Sequence, residues 1–225
     1  TLQRVNVEQV PEALLYKTFC HFNLWDAGKA VPYLEQYLQC ELTPYARMVG
    51  RVNLAAAWIE LEHFDQAMEL LCQNIEQLNR EGHRRLEANC RELRAQIFVD
   101  RGELDRAMED LNAAIPLLGS EQTTDQLFLR KWHAVILGLQ SGSSTPILEF
   151  KKEAQARGHW ESVREADFFA LKVQFQPELF DHLVFGTPFT NYRERICRDL
   201  NRVPQAESYI YGSGEGRFLD LATGT

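Results

Sequence analysis

Along most of this chain apolar residues recur three or four positions apart, the spacing of one face of an α-helix. Leu54, Ala55, Trp58 and Leu61 fall this way, as do Ala95, Phe98 and Val99. Phe64, Ala67, Leu70, Leu71 and Ile75 make a second run, matched by Leu104, Ala107, Leu111, Ala114 and Ile115. Leu61-Glu62-His63 and Asp100-Arg101-Gly102-Glu103 separate the runs. Connections this short make the flanking helices antiparallel neighbours, and Gly102 suits a helix end. Upstream, Pro11-Glu12 opens a helix with Leu14, Leu15, Thr18, Phe19 and Phe22 on its apolar face. Trp25-Asp26-Ala27-Gly28 breaks it, and a helix over 29–39 follows, with Ala30, Leu34, Tyr37 and Leu38 inward and Pro32 near its tolerant start. Thr43-Pro44 starts the next. Downstream, Gly119-Ser120 closes a helix, and Thr123-Thr124-Asp125 caps one carrying Leu127, Phe128, Trp132, Val135, Ile136 and Leu139. After Ser141-Gly142-Ser143-Ser144, Thr145-Pro146 begins a helix through Ala156 with Ile147, Phe150 and Ala154 on one face. A last helix from His159 to near Phe175 packs Val163, Ala166, Phe169, Ala170 and Val173.

These runs are copies. Phe64-Asp65-Gln66-Ala67-Met68-Glu69-Leu70-Leu71 is answered 40 positions later by Leu104-Asp105-Arg106-Ala107-Met108-Glu109-Asp110-Leu111, and Arg51, Ala55 and Trp58 recur as Arg91, Ala95 and Phe98. A fixed period of this size is the signature of stacked repeats. Small residues such as Ala55 and Ala67 let helix backbones approach, and Trp58 and Leu71 fill the space beside them. The pattern Leu54, Ala55, Trp58, Ala67, Leu71, with Ala95, Phe98, Ala107, Leu111 in the next unit, resembles the tetratricopeptide repeat. The resemblance covers roughly residues 12–175, counting a degenerate first unit (Ala30 aligned with Ala67) and a later one in which Gly138 replaces an aromatic. It departs from the family at Arg51 and Arg91, where Trp is usual, and at Arg94, where Leu is usual. Its period exceeds the usual ~34 residues, with the extra length falling around 72–85. That length is similar to long-repeat variants in bacterial regulators and sensors.

The resemblance implies an all-α fold: a right-handed α-α superhelix over 1–176, followed by a C-terminal extension over 177–225. The extension is rich in aromatics (Phe180, Phe185, Phe189, Tyr192), with a turn at Gly186-Thr187-Pro188 and a short helix over 192–201. Ser208-Tyr209-Ile210-Tyr211 and Arg217-Phe218-Leu219-Asp220-Leu221 flank a glycine-rich turn at Gly212, Gly214 and Gly216, the pattern of a β-hairpin. The run Phe218-Leu219-Asp220-Leu221-Ala222-Thr223-Gly224 resembles the strand that opens OmpR-type winged-helix DNA-binding domains.

Composition narrows the functional classes. A net charge of −8 argues against a general nucleic-acid coat. Five scattered cysteines without a Cys-x-x-Cys pair read as reduced, mostly buried thiols of a cytoplasmic protein. Apolar runs are too short for a membrane span. The six histidines (His21, His63, His83, His133, His159, His182) lack metal-helix spacing. Cys20-His21 cannot form a nucleophile–base pair, since helix neighbours point about 100° apart, and Cys20 reads as structural. Gly212-x-Gly214-x-Gly216 lacks the following helix of a phosphate cradle. Lys151-Lys152 and the stretch from Tyr192 to Arg198 are basic clusters that read as solvated helix faces. No catalytic residue, metal or cofactor is expected.

In the family, the first helix of each repeat lines an inner groove, and its accessible positions select the ligand. In this register those positions are Asn53, Ala56 and Glu60, then Asn89, Glu92, Gln96 and Asp100, with Trp132, His133 and Gln140 in the degenerate unit. Side-chain amides can both donate to and accept from an extended backbone. Only Asn53 matches the Lys/Asn pattern of members that bind chaperone tails, so a C-terminal carboxylate ligand is not favoured. The expected function is therefore non-catalytic binding of a protein or peptide segment. An alternative is the sensor or dimerisation region of a bacterial transcription regulator whose DNA-binding domain lies beyond residue 225. A third is self-association through the 209–221 hairpin or an end of the chain.

Overall fold

A computed structural model describes residues 10–23, 26–119 and 124–174. Among them are nine α-helices: α1 (Glu12–Asn23), α2 (Ala27–Gln39), α3 (Pro44–Glu60), α4 (Phe64–Glu81), α5 (Arg84–Asp100), α6 (Leu104–Ala114), α7 (Thr124–Ser141), α8 (Thr145–Ala156) and α9 (Trp160–Val173). The described residues contain no strand. The C-terminal extension, its hairpin, Cys197 and His182 lie outside them, as do Trp25, Ser120 and Thr123.

Residues up to Trp132 and residues from His133 onward form two compact units. In the first, α1 to α6 pack in succession, each on the next, and α3 also lies against α5. The core is continuous through side chains shared between clusters. Leu14, Leu15, Leu34, Tyr37, Leu54 and Ala57 join α1, α2 and α3. Met48, Val52, Ile59, Leu71, Leu78, Cys90 and Ile97 join α3, α4 and α5. Trp58 and Leu70 touch both clusters. Ala30, Ala55, Ala67, Ala95 and Ala107 are fully buried, so the small-residue positions of the repeat are where the helices meet. In the second unit α8 packs on α9. There Gly138 lets α7 approach closely, since a Cβ on it would stand 2.9 Å from Ile147 Cδ1.

The hairpin turns repeat as faithfully as the helices. Each closes with a backbone N–H reaching back five residues: Asp26 to His21 O (2.9 Å), His63 to Trp58 O (2.8 Å), Glu103 to Phe98 O (2.8 Å) and Ser143 to Gly138 O (3.1 Å). This bond satisfies a carbonyl that the helix end leaves open, and it requires a left-handed residue just before the donor. Glu62, Gly102 and Gly142, spaced by 40, supply it with φ of 61°, 75° and 64°. The first hairpin, read as degenerate, shares the closing bond. An offset of 37 carries Ala27 to Phe64, Ala30 to Ala67 and Leu34 to Leu71.

Several details differ from the sequence reading. Ala27 and Gly28 belong to α2, because the Asp26 carboxylate caps it by accepting from Lys29 N at 3.3 Å. Pro32 lies inside α2 rather than at its start. It forgoes one bond, to Gly28 in the first turn, and is exposed. Pro116 converts the end of α6 into a 3-10 turn (Ile115–Leu117), which turns Ile115 outward. The extra length around 72–85 lies in α4, which has 18 residues, whereas α6, the second helix of the next repeat, has 11. Phe168, not Phe169, is the buried aromatic of α9. Phe19 is turned to solvent while its neighbour Thr18 is fully buried, its hydroxyl donating to Leu14 O at 3.0 Å. Of the four described cysteines only Cys90 is buried. Cys20 and Cys72 are exposed and Cys40 is intermediate, so neither burial nor a core role explains Cys20.

Candidate functional site

On α3 and α5 one row of incompletely covered positions recurs at the same places in the repeat. On α3 it is Val49, Asn53, Ala56 and Glu60, all partly buried. On α5 it is Asn89, Leu93 and Gln96, also partly buried, ending in exposed Asp100. The two sets are 40 positions apart, residue for residue. Since α3 lies against α5, the stripes belong to neighbouring helices of one unit. Asn53 Nδ2 donates to Val49 O at 2.8 Å, which directs the amide oxygen away from that bond. Gln96 Nε2 donates to Glu92 Oε1 at 2.7 Å. Ala56 contributes only a methyl group to the row. Such a row offers amide donors and acceptors and a terminal carboxylate, and no nucleophile or paired acid and base.

The other expected members are placed differently. Glu92 is 8% exposed and Trp132 7% exposed, so each offers little surface. Glu92 instead supports Gln96, and Trp132 lies under the Lys131 ammonium, 5.3 Å from its ring centre. His133 is partly exposed but falls in the second unit, as does exposed Gln140. Four positions were not picked out from the sequence: Val49, which precedes Asn53 on α3, and three more. Leu93 is the true counterpart of Asn53. Tyr16 and Phe19 on α1 correspond to Asn53 and Ala56 through the offset of 37. That offset was readable from Ala30 and Ala67, but the apolar character of Phe19 assigned it to the core.

The residues that depart from the tetratricopeptide pattern carry the strongest polar chemistry in the first unit. Arg94 grips Asp110 with two bonds of 2.6 Å, from Nε to Oδ2 and from Nη2 to Oδ1. Arg91 reaches Glu87 at 2.8 Å and Asp110 at 3.4 Å. Glu87 and Asp110 are both buried. Arg94 also donates to Cys72 Sγ at 3.5 Å, so one guanidinium ties α5 to α6 and to α4. Its bond to Asp110 raises its pKa above even the ordinary arginine value, so it stays charged. Each carboxylate is matched by a guanidinium, which makes the cluster a structural clasp rather than a poised acid or base. In the preceding repeat Leu54 and Leu70 take the places of Arg94 and Asp110.

Among the described residues the remaining cysteines and histidines stand apart from one another. Burial pushes the Cys90 thiol up to about 12, the state of an inert core residue. His63 and His83 stand at helix starts, and His159 caps α9 by accepting from Ser162 N at 3.3 Å. Among the described residues no group of three His, Cys, Asp or Glu could hold a metal ion, and no helix is long and apolar enough to cross a membrane. Comparison with protein-family models, curated proteins and solved structures found no match to this chain.

Proposed function

We propose that this chain is a tetratricopeptide-like repeat protein. In this reading it binds an extended protein segment without catalysis, along the stripes of α3 and α5. The observation that carries the reading is the repeat of one partly covered row, Val49, Asn53, Ala56 and Glu60, as Asn89, Leu93, Gln96 and Asp100 on the adjacent helix. Partial cover at the same repeat positions of two neighbouring helices is what a stacked array shows when those positions face a ligand. The chemistry fits a backbone: an extended peptide presents alternating N–H and C=O groups, and Asn53, Asn89 and Gln96 can answer either. The Arg94–Asp110 clasp holds α5 against α6, so the α5 row is presented by a fixed helix rather than a mobile one.

The test is binding by the wild-type chain and by Asn89→Ala/Gln96→Ala in a pull-down from native cytosol. Partners recovered by the first and lost or reduced in the second are the expected result. Equal recovery moves the binding site off this face.

A further inference from the structure

We propose that Met68 and Cys72 of α4 form a binding site for a soft monovalent metal ion, copper(I). The proposal is independent of the groove reading. The two residues lie one helical turn apart, so their side chains share a face. Cys72 Sγ stands 3.9 Å from Met68 Sδ and directs its proton towards it. Thiolate and thioether sulfurs are the donors that select copper(I) over harder ions. Cys72 is exposed, which leaves its sulfur open to solvent. Met68 is partly buried and packs against the α3–α5 core. Its thioether is held at the edge of that core, while its flexible end can still adjust.

The separation suits an ion between the sulfurs. At a spacing of 3.9 Å, an ion about 2.3 Å from each sulfur, an ordinary metal–thiolate length, subtends an angle of about 120°. That is a three-coordinate geometry, with the third position left for a water or a small thiol. The exchange also balances in charge. The Cys72 thiol gives its proton to solvent, the ion takes the proton's place on sulfur, and no electron moves. Arg94 Nη1, which donates to Cys72 Sγ at 3.5 Å, therefore meets no added charge and keeps its bond. Its own charge is already matched by Asp110.

The repeat singles out this turn. Of the three methionines in the chain, only Met68 has a cysteine one helical turn away. Met68 recurs 40 positions later as Met108, but Cys72 gives way to Asn112. Cys72 and Arg94, which touch, correspond one repeat earlier to Glu35 and Leu54, through offsets of 37 and 40. The thiol and its arginine thus depart from the repeat together. Hard donors do not gather here. The neighbouring Glu69 carboxylate accepts from Gln73 at 3.3 Å, and among the described residues no three His, Cys, Asp or Glu side chains could hold an ion.

The test is titration of the whole chain with copper(I) under nitrogen, in competition with bicinchoninate, whose copper(I) complex is coloured. The wild-type chain is expected to withdraw one equivalent of copper(I) from the chelator. Cys72→Ser should lose that equivalent, and Met68→Leu, which keeps the thiol and the core volume, should weaken it at least about tenfold. Cys20→Ser, which removes an exposed thiol with no methionine a turn away, should leave it unchanged. In chain labelled with methyl-13C methionine, one equivalent should move the Met68 methyl resonance and leave those of Met48 and Met108 in place. Circular dichroism of each variant reports its fold. Failure to compete with the chelator, or a tight equivalent that survives Cys72→Ser or is lost in Cys20→Ser, overturns the proposal. So does an affinity unchanged by Met68→Leu with an unmoved Met68 methyl, because the thiol then binds alone. Displacement of copper(I) by equimolar zinc(II) overturns the class of ion.

Discussion

Asp110 accepts bonds from two arginines while buried between α5 and α6. Asp110→Ala would leave the Arg94 guanidinium without its counter-charge in a poorly solvated place, and Arg91 with Glu87 alone. It is expected to cost about 3–5 kcal/mol in urea unfolding. The double change Arg94→Leu/Asp110→Leu should recover most of that loss. It installs the pair that the preceding repeat already uses as Leu54 and Leu70, and apolar replacement of a whole ion pair is often neutral or better. A double variant as unstable as Asp110→Ala would mean that the clasp does more than fill space. Cys90 gives a pH prediction. Folding raises its pKa to about 12, so above the ordinary thiol value of about 9 the unfolded chain sheds a proton that the folded chain keeps. Stability should therefore fall as pH rises from about 9 towards 12, and Cys90→Ala should flatten that decline. In the native state Cys20 and Cys72 should react with iodoacetamide and Cys90 should not. At this scale the sequence was informative about identity and poor about placement. Arg91 and Arg94 stood out as departures from the repeat, but their partner Asp110 is 16 to 19 positions away on another helix, and no local pattern joins them.

Among the elements, two glycines separate what local conformation requires from what packing requires. Gly102 has φ of 75° and nothing within 4 Å of where a Cβ would stand. Gly102→Ala should cost about 1–2 kcal/mol from backbone strain alone, measurable as a lowered Tm with unchanged helix content. Gly50 is helical, and a Cβ on it would stand 2.8 Å from the Tyr37 ring and 2.9 Å from Leu38 Cδ2. Gly50→Ala should cost about 1–3 kcal/mol through overpacking. It should also disturb the bond from the Tyr37 hydroxyl to Ala46 O, 3.3 Å long. The turn role of Gly102 was legible from the sequence, because a helix end between two periodic runs calls for a left-handed residue. Nothing in the local sequence marks Gly50, since the ring that excludes a side chain comes from α2. The same division explains Phe19 and Phe168. Periodicity gives a face to within about one residue, and the neighbouring helix decides which of two adjacent aromatics faces it.

Within the first unit as a whole, α3, α4 and α5 each pack between flanking helices, whereas α1 has α2 as its principal described neighbour. In a repeat array, stability is carried by such interfaces and the ends open first. Backbone amides of α1 should therefore exchange with deuterium faster than those of α4 and α5, as read by mass spectrometry. Uniform exchange across the four would mean that the unit opens all at once.

By itself the sequence determined that the described part of the chain is helical, where its hairpins turn, and that they are copies of one unit. These are consequences of spacing, and spacing is a property of neighbouring residues. Only the tertiary structure decided that Tyr16 and Phe19 are exposed, that Leu93 is partly covered like Asn53, Ala56 and Gln96, that Glu92 and Trp132 are largely covered, and that Arg94 clasps Asp110. Exposure and pairing depend on which other helix covers a given face, and that is set by the packing of residues far apart in the chain.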